Sequence, residues 1–295
     1  MFNVNAEFEK NPELKKDDID HIQEWVKKQP HLPEISEQQV IMFLHSCYYR
    51  LEATKTTIEN FFTIRTYAPE IFSKRDPFEK DVQESLKTMY MTKLPGKTAQ
   101  GYDVFYSRLK RIEPEFYIMA DIIKTYNMHS DIWNAENGTS VGHIIALDLE
   151  GISLGHVGRI NMNVMKKNLS YLQDAMPVRL KGIHMLNVVP FIDMVMNMLR
   201  PFMKPHLQAL FQFHQANSPE VYEHIPKSLI PKECGGDGES LSVLQAETKK
   251  ILEDNVEWFK KEELQRVDES KRQGKPKDTN ALFGMSGSFK KLSLD

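Results

Sequence analysis

Ser153 stands in Gly151-Ile152-Ser153-Leu154-Gly155, a literal G-x-S-x-G directly after an apolar run. On a tight strand-to-helix turn that spacing lifts a serine hydroxyl into a nucleophile for ester hydrolysis. Asp193 with His206, His214 or His224 would supply the remaining triad members in a workable chain order. A helix should begin directly after such a serine, yet Gly155, His156 and Gly158 follow, and glycine starts helices poorly. A structural turn is therefore the expectation, with an esterase using Ser153 as the alternative. Metal chemistry has less support: there is no H-E-x-x-H, no pair of C-x-x-C, and the ten histidines are scattered. The Cys234-Gly235-Gly236-Asp237-Gly238 segment lacks the Lys-Ser/Thr of a phosphate loop and reads as a turn with close backbone packing. Asp148 and Glu150 read as structural hydrogen-bonding groups rather than an acid–base pair. No catalytic residue, metal ligand or cofactor is assigned.

The most informative segment is residues 183–213. Pro190 is placed to open a helix and Pro201 to end it. Between them Phe191, Ile192, Met194, Val195, Met196, Met198 and Leu199 are apolar, and Asp193, Asn197 and Arg200 form one narrow polar stripe. Such a helix is about 16 Å long against about 30 Å for a bilayer core, so it covers something other than water without spanning a membrane. Methionines gather nearby, at positions 162, 165, 176, 185, 194, 196, 198 and 203. They suit plain core filling and an adaptable apolar surface equally, and their density in the greasy helix favours a deformable lid.

Elements must hold these residues in place. The first ninety residues read as helices, one carrying Ile19, Ile22, Trp25 and Val26. The next opens on a Ser36/Gln39 capping box, and a third carries Leu51, Ile58, Phe61, Phe62 and Arg65 before Pro69. After Pro95-Gly96, strand-like runs at 102–109, 142–149, 180–188 and 207–213 alternate with helical stretches around 114–134, 161–175 and 190–200. That alternation predicts an α/β domain with a mixed, largely parallel sheet. In the second run His143, Ile145, Leu147 and Leu149 share one face. His143 reads as a satisfied core histidine, or as a polar contact at the wall of an apolar cavity. Residues 241–264 read as a helix, followed by a charged linker and a tail, ALFGMSGSFKKLSLD, expected to pack weakly on the body. The expected organisation is a helical unit over 1–90, an α/β domain over 91–240 and a C-terminal helix and tail over 241–295.

With 295 residues, 41% hydrophobic, 27% charged and a net charge of −3, the chain gives no electrostatic reason to expect nucleic acid. The N-terminus shows neither a basic nor an apolar leader segment, and Cys47 and Cys234 are the two cysteines. A cytoplasmic protein with reduced thiols is expected.

The runs IIALDLEGISLGHV, KGIHMLNVVPF, LRPFM and LIPKECGG resemble the CRAL-TRIO lipid-binding family, to which alpha-tocopherol transfer protein and cellular retinaldehyde-binding protein belong. The stretch FLHSCYYRLEATKTTIENFFTIRTYAPE is similar to the helical domain that precedes it in that family, and the closing residues are similar to tails of insect members. The resemblance implies a mixed sheet flooring a hydrophobic cavity, with a gate helix over about 191–207 that opens at membranes. Implied cavity positions are Ile122, Thr125, His143, Leu147, Ile160, Tyr171, Leu172, Met176, Val178 and Ile183, with Phe191, Val195, Met198, Leu199 and Phe202 on the gate. It implies a monomeric carrier of one hydrophobic molecule (a tocopherol, retinoid or carotenoid, or alternatively a phosphatidylinositol or other phospholipid). Contact with anionic membrane, phosphoinositides included, would fall to Arg179, Lys181 and Arg200. The sequence departs from the family's basic phosphoinositide cleft at His45, Cys47, His206 and Leu210, which puts phosphoinositide-coupled release in question.

Overall fold

The computed structural model describes residues 3–278 and 282–284. Helices come first: α1 (Val4–Lys10), α2 (Lys16–Lys27), α3 (Glu37–Ser46), α4 (Leu51–Tyr67), α5 (Pro69–Phe72) and α6 (Lys80–Thr88). Strands and helices then alternate: β1 (Met89–Lys93), β2 (Asp103–Leu109), α7 (Met119–Asn137), β3 (His143–Asp148), α8 (Leu154–Val157), α9 (Met162–Asp174), β4 (Leu180–Leu186), α10 (Ile192–Leu199), α11 (Pro205–Gln208), β5 (Phe211–Phe213) and α12 (Val221–His224). The helices α13 (Leu241–Asp254) and α14 (Val256–Glu263) follow. One five-stranded sheet runs in the order β1-β2-β3-β4-β5, with β1 antiparallel to β2 and every other pairing parallel. The sheet is mixed and mostly parallel, as the alternating pattern predicts.

Local chemistry explains the boundaries. At α3 the Gln39 backbone N–H donates to Ser36 Oγ at 3.2 Å, and the Ser36 N–H donates to Gln39 Oε1 at 3.0 Å, which completes the expected capping box. Several boundaries differ from the sequence reading, among them a break at Asn255 that divides the 241–264 stretch into α13 and α14. Strand β1 begins at Met89, inside the stretch read as helical, because it follows α6 with no breaker and its Met-Tyr-Met-Thr-Lys sequence lacks a β-branched run. Pro114–Phe116 forms a separate 3₁₀ turn ahead of α7. Helix α10 ends at Leu199, as the reading of Pro201 expects, and Pro201 itself sits in the 3₁₀ turn Arg200–Phe202 that follows, where a missing N–H costs little. Pro205 opens α11, so the last strand shrinks to Phe211–Phe213.

Two apolar layers sandwich the sheet. One face carries Val104, Tyr106, Ile144 and Ala146 against Ile225, Leu229 and Leu244. There Gly236 permits close backbone packing: a Cβ at that position would lie 1.9 Å from the Ile230 carbonyl oxygen. The Cys234–Gly238 segment is thus a packing turn. The other face carries Ile145, Ile183 and Met185 towards α9 and α10. Leu282 and Phe283, from the C-terminal tail, pack into the helical core, and the rest of that tail lies outside the described residues.

A buried ionic lattice joins the first helices to the last. Arg65 on α4 donates to Asp131 on α7 (2.8 and 2.9 Å), to Glu262 on α14 (2.7 Å) and to the Tyr171 hydroxyl on α9 (2.7 Å). Arg75 completes the ring, with Asp131 at 2.6 Å and with Glu262. Burial opposes ionisation of Glu262, but the guanidinium groups of Arg75, Arg65 and Arg266 outweigh it and hold the carboxyl at about 2. An acid depressed on folding contributes stability that is present above its unfolded value, about 4.3, and lost as pH falls through the folded one. Glu262→Gln is expected to cost about 3 kcal/mol at pH 7. The same change should flatten the decline in stability between about pH 4.5 and 2. Urea titrations across that range check both outcomes.

Candidate ligand-binding site

Between the sheet and helices α7, α9 and α10 lies a cavity of about 260 Å³. Its floor is Ile145, Leu147 and Leu149 of β3 and its end, with Ile183 and Met185 of β4. Helix α7 forms a long wall with Met119, Ile122, Ile123, Tyr126 and Asn127, spaced as one helical stripe. Residues Phe191, Ile192, Val195, Met196 and Leu199 turn inward from α10 and its N-cap and close the space. The other side of that helix is exposed and carries Asp193, Met194, Asn197 and Met198. Among the described residues no Asp, Glu, Lys or Arg lines the cavity.

Of the sequence-predicted ligand contacts, Ile122, Leu147, Ile160, Leu172 and Ile183 stand on the wall, as do Phe191, Val195 and Leu199 from the closing segment. The other seven stand elsewhere. Thr125 returns its hydroxyl to the Asp121 carbonyl of its own helix. His143 is on the floor's face of β3, but its ring packs against Phe105 (5.5 Å between centroids), away from the cavity wall. Burial lowers its pKa to about 4, so it is a neutral core histidine. Tyr171 belongs to the core against the helical unit, 4.8 Å from the Phe72 ring and bonded to Arg65, and Met176 and Val178 pack in the same cluster. Met198 faces outward. Phe202 lies beneath the Lys166 ammonium, 4.3 Å from its ring centre.

The Ser153 environment differs from the turn expected. A short helix, α8, does begin at once, because Ser153 caps it and His156 returns the cap. Gly155 is required there, since a Cβ would lie 2.7 Å from Pro114 Cγ. The Ser153 hydroxyl meets His156 Nδ1 at 2.9 Å, but that nitrogen also accepts the Ser153 backbone N–H at 3.1 Å, and Nε2 has no partner. A triad instead needs an acid on the imidazole's far nitrogen. Asp193 is exposed on α10, His206 lies against the Gln173 carbonyl at 3.4 Å, and His214 bonds His184 at 2.9 Å with His224 beside them. No triad forms among these residues.

The basic positions are also placed. Arg179 donates to the His45 carbonyl at 2.8 Å and lies 4.2 Å over the Tyr48 ring, while Lys181 donates to the Tyr48 hydroxyl at 2.9 Å. His45 is held neutral by burial and by the Arg179 charge, its pKa lowered to about 3. Cys47 is buried with its thiol 3.2 Å from Thr57 Oγ1, and Leu210 packs beside the cavity cluster. Arg200 is exposed and bonded to Asn197 at 2.9 Å.

Sequence reasoning missed Met89, Met91, Ser107, Tyr126, Asn127 and His156, which all line the cavity. The helical stripe from Met119 to Asn127 was the available signal for the α7 contacts. The β1 methionines carried none, because that strand was itself unrecognised. Among the described residues no helix is long and apolar enough to cross a membrane, and no cluster of His, Cys, Asp and Glu could hold a metal ion.

A sheet floor, an apolar hollow and a short amphipathic helix across it define a lipid-binding α/β domain. The CRAL/TRIO domain profile matches residues 87–236, and a Pinta-like UBA domain profile matches residues 11–82. The chain belongs to the CRAL/TRIO family, whose members bind and transfer lipophilic molecules. It is 25% identical to a human protein named alpha-tocopherol transfer protein-like over 236 residues, 79% of this chain and 68% of that one. It is 20% identical to mouse clavesin-2, over 79% of this chain and 72% of that one. The crystal structure of Sfh5 matches with a TM-score of 0.51 at 10% identity, over 83% of this chain and 92% of that one, a likeness of fold.

Filling the hollow tests the site directly. Ile183→Trp is expected to cut uptake of the apolar dye Nile red at least about tenfold, with the melting temperature lowered by no more than about 5 °C.

Proposed function

We propose that this protein encloses one hydrophobic small molecule and carries it between membranes, with α10 and its flanks as the gate. The observation that supports this most is the apolar hollow whose closing wall is a short helix with methionines on its outer side. Each buried CH₂ is worth about 0.8 kcal/mol, so a lipid of twenty carbons gains on the order of 16 kcal/mol before ordering costs. Release into water is then very slow. Docking α10 on a bilayer removes that penalty, because the guest passes from one apolar medium to another. The exposed Met194 and Met198 enter the interface, with Arg200 at the anionic headgroups. Arg179 and Lys181, engaged with Tyr48 beside a neutral His45, support general attraction to anionic lipid more than a dedicated phosphoinositide pocket. The protein acts as a cytoplasmic monomer without covalent chemistry. Tocopherol-like, retinoid-like and carotenoid-like guests suit the walls better than a phospholipid, whose charged headgroup finds no counter-charge among the described lining residues.

The double change Met194→Asp with Met198→Asp is expected to slow vesicle-to-vesicle transfer at least about fivefold while the purified protein still holds its guest. Phe202→Asp should act in the same direction. Unchanged transfer by the folded, loaded double variant would dismiss the gate. Ser153→Ala should leave guest retention intact, and loss of an ester-cleaving activity on that change would favour a hydrolase instead.

A further inference from the structure

The chain beyond α14 is fastened at two places, and the second lies beside the gate. Arg272 is the first fastening. It donates to Thr63 of α4 at 3.3 Å and to Glu269 at 2.6 and 2.7 Å, with Glu59 of α4 as a further partner. Residues 273–278 are then exposed. The second fastening is on α9. Phe283 is 2% exposed within the helical core, and Leu282 packs against the same cluster. The Ser170 hydroxyl donates to the Leu282 carbonyl at 3.3 Å, and the Lys167 ammonium stands 5.5 Å from the Phe283 ring centre.

Helix α9 holds the end of the gate as well. Lys166 lies 4.3 Å over the Phe202 ring, and Gln173 donates to the Phe202 carbonyl at 3.2 Å. The Lys204 backbone N–H donates to Gln173 Oε1 at 2.9 Å. Residues 166, 167, 170 and 173 are spaced three and four apart, so one ridge of α9 carries both tail and gate. The two meet there: a Cβ on Gly284 would lie 3.8 Å from Phe202 Cδ1, ordinary contact distance.

The 3₁₀ turn Arg200–Phe202 continues α10 without a break. Lifting α10 from the cavity therefore shifts or twists Phe202, and the tail packed beside it opposes that displacement. The two fastenings differ in kind. Arg272 is held by several charged groups, whereas the distal one rests on a buried ring and a hydrogen bond to backbone. The distal one can let go while Arg272 stays in place, and its return is then intramolecular.

Resting on the carrier reading above, we infer that Leu282–Gly284 form a strap that holds the gate shut, and that their detachment from α9 frees α10 to open. The strap controls the rate of guest release without shaping the cavity, since neither Leu282 nor Phe283 lines it.

The full-length protein loaded with Nile red is mixed with excess phosphatidylcholine–phosphatidylserine vesicles, and loss of the dye is followed by fluorescence. Phe283→Ala is expected to speed release at least about fivefold, and Ser170→Ala about twofold, with the amount of dye bound at the start unchanged. Amide hydrogen exchange on the same proteins without dye reads the strap independently of any cargo. Protection should fall over residues 192–203 while α2 and α3 keep theirs. Release as slow as that of the wild type overturns the strap. So does a loss of protection spread evenly over α2, α3 and α10, which would make the tail a plug in the helical core. Should Phe283→Ala fail to fold, Ser170→Ala decides alone on the same two readings. The Met194/Met198 double variant judges the gate separately, so a failed strap leaves the carrier reading standing.

Discussion

The shape of this molecule depends on Arg65 and Arg75 being buried against Asp131 and Glu262. A hollow has no interior atoms to keep its walls apart, so its walls must be held from behind. Helix α7 is the long wall, and Asp131, one turn beyond Asn127 on that helix, receives both guanidinium groups. Lys124 on the same helix bonds Asp81 of α6 at 2.7 Å. Through Glu262 and Tyr171 the lattice also fixes α14 and α9. Charges removed from water in this way are costly to leave unpaired, so the elements are fixed in register as well as in proximity.

The opposite wall is built differently. Helix α10 presses on the cavity with Val195, Met196 and Leu199, while its polar groups are exposed, and Arg200 bonds a residue of its own segment. Its neighbours hold it through Gln173 and Gln208, which bond the Phe202 and Met203 carbonyls. A frame locked by ions faces a cover held mostly by apolar contact. Apolar contact is non-directional, and it is as readily made with lipid as with protein. This difference supports assigning movement to α10 and rigidity to α7.

Much of this arrangement was legible in the chain. The strand–helix alternation after Pro95-Gly96 and the greasy helix between prolines each carry a periodicity that survives into three dimensions. The cavity contacts were half legible. Leu147 and Ile183 follow from strand alternation, but His143 shares that alternation and ends against Phe105, because a face pattern does not reveal where a hollow stops along a strand. Tyr171 and Met176 are apolar for another reason: they seat the helical unit. The ionic lattice was hidden, since Arg65, Asp131 and Glu262 are far apart in sequence and each alone looks like an ordinary surface charge. The polar residues that line the cavity were hidden for the same reason. Only burial distinguishes Ser107 or Asn127 from any other polar residue.

The open volume also bears on the protein's own endurance. At about 24 cal/mol per Å³, a void of 260 Å³ corresponds to a deficit on the order of 6 kcal/mol. Native stability itself is commonly about 5–15 kcal/mol. An occupant of the proposed kind would therefore do the work of missing side chains, completing from outside a core that the polypeptide leaves unfinished. Empty chains would unfold and be degraded sooner than occupied ones, and the amount of protein in a cell would then follow the supply of its cargo.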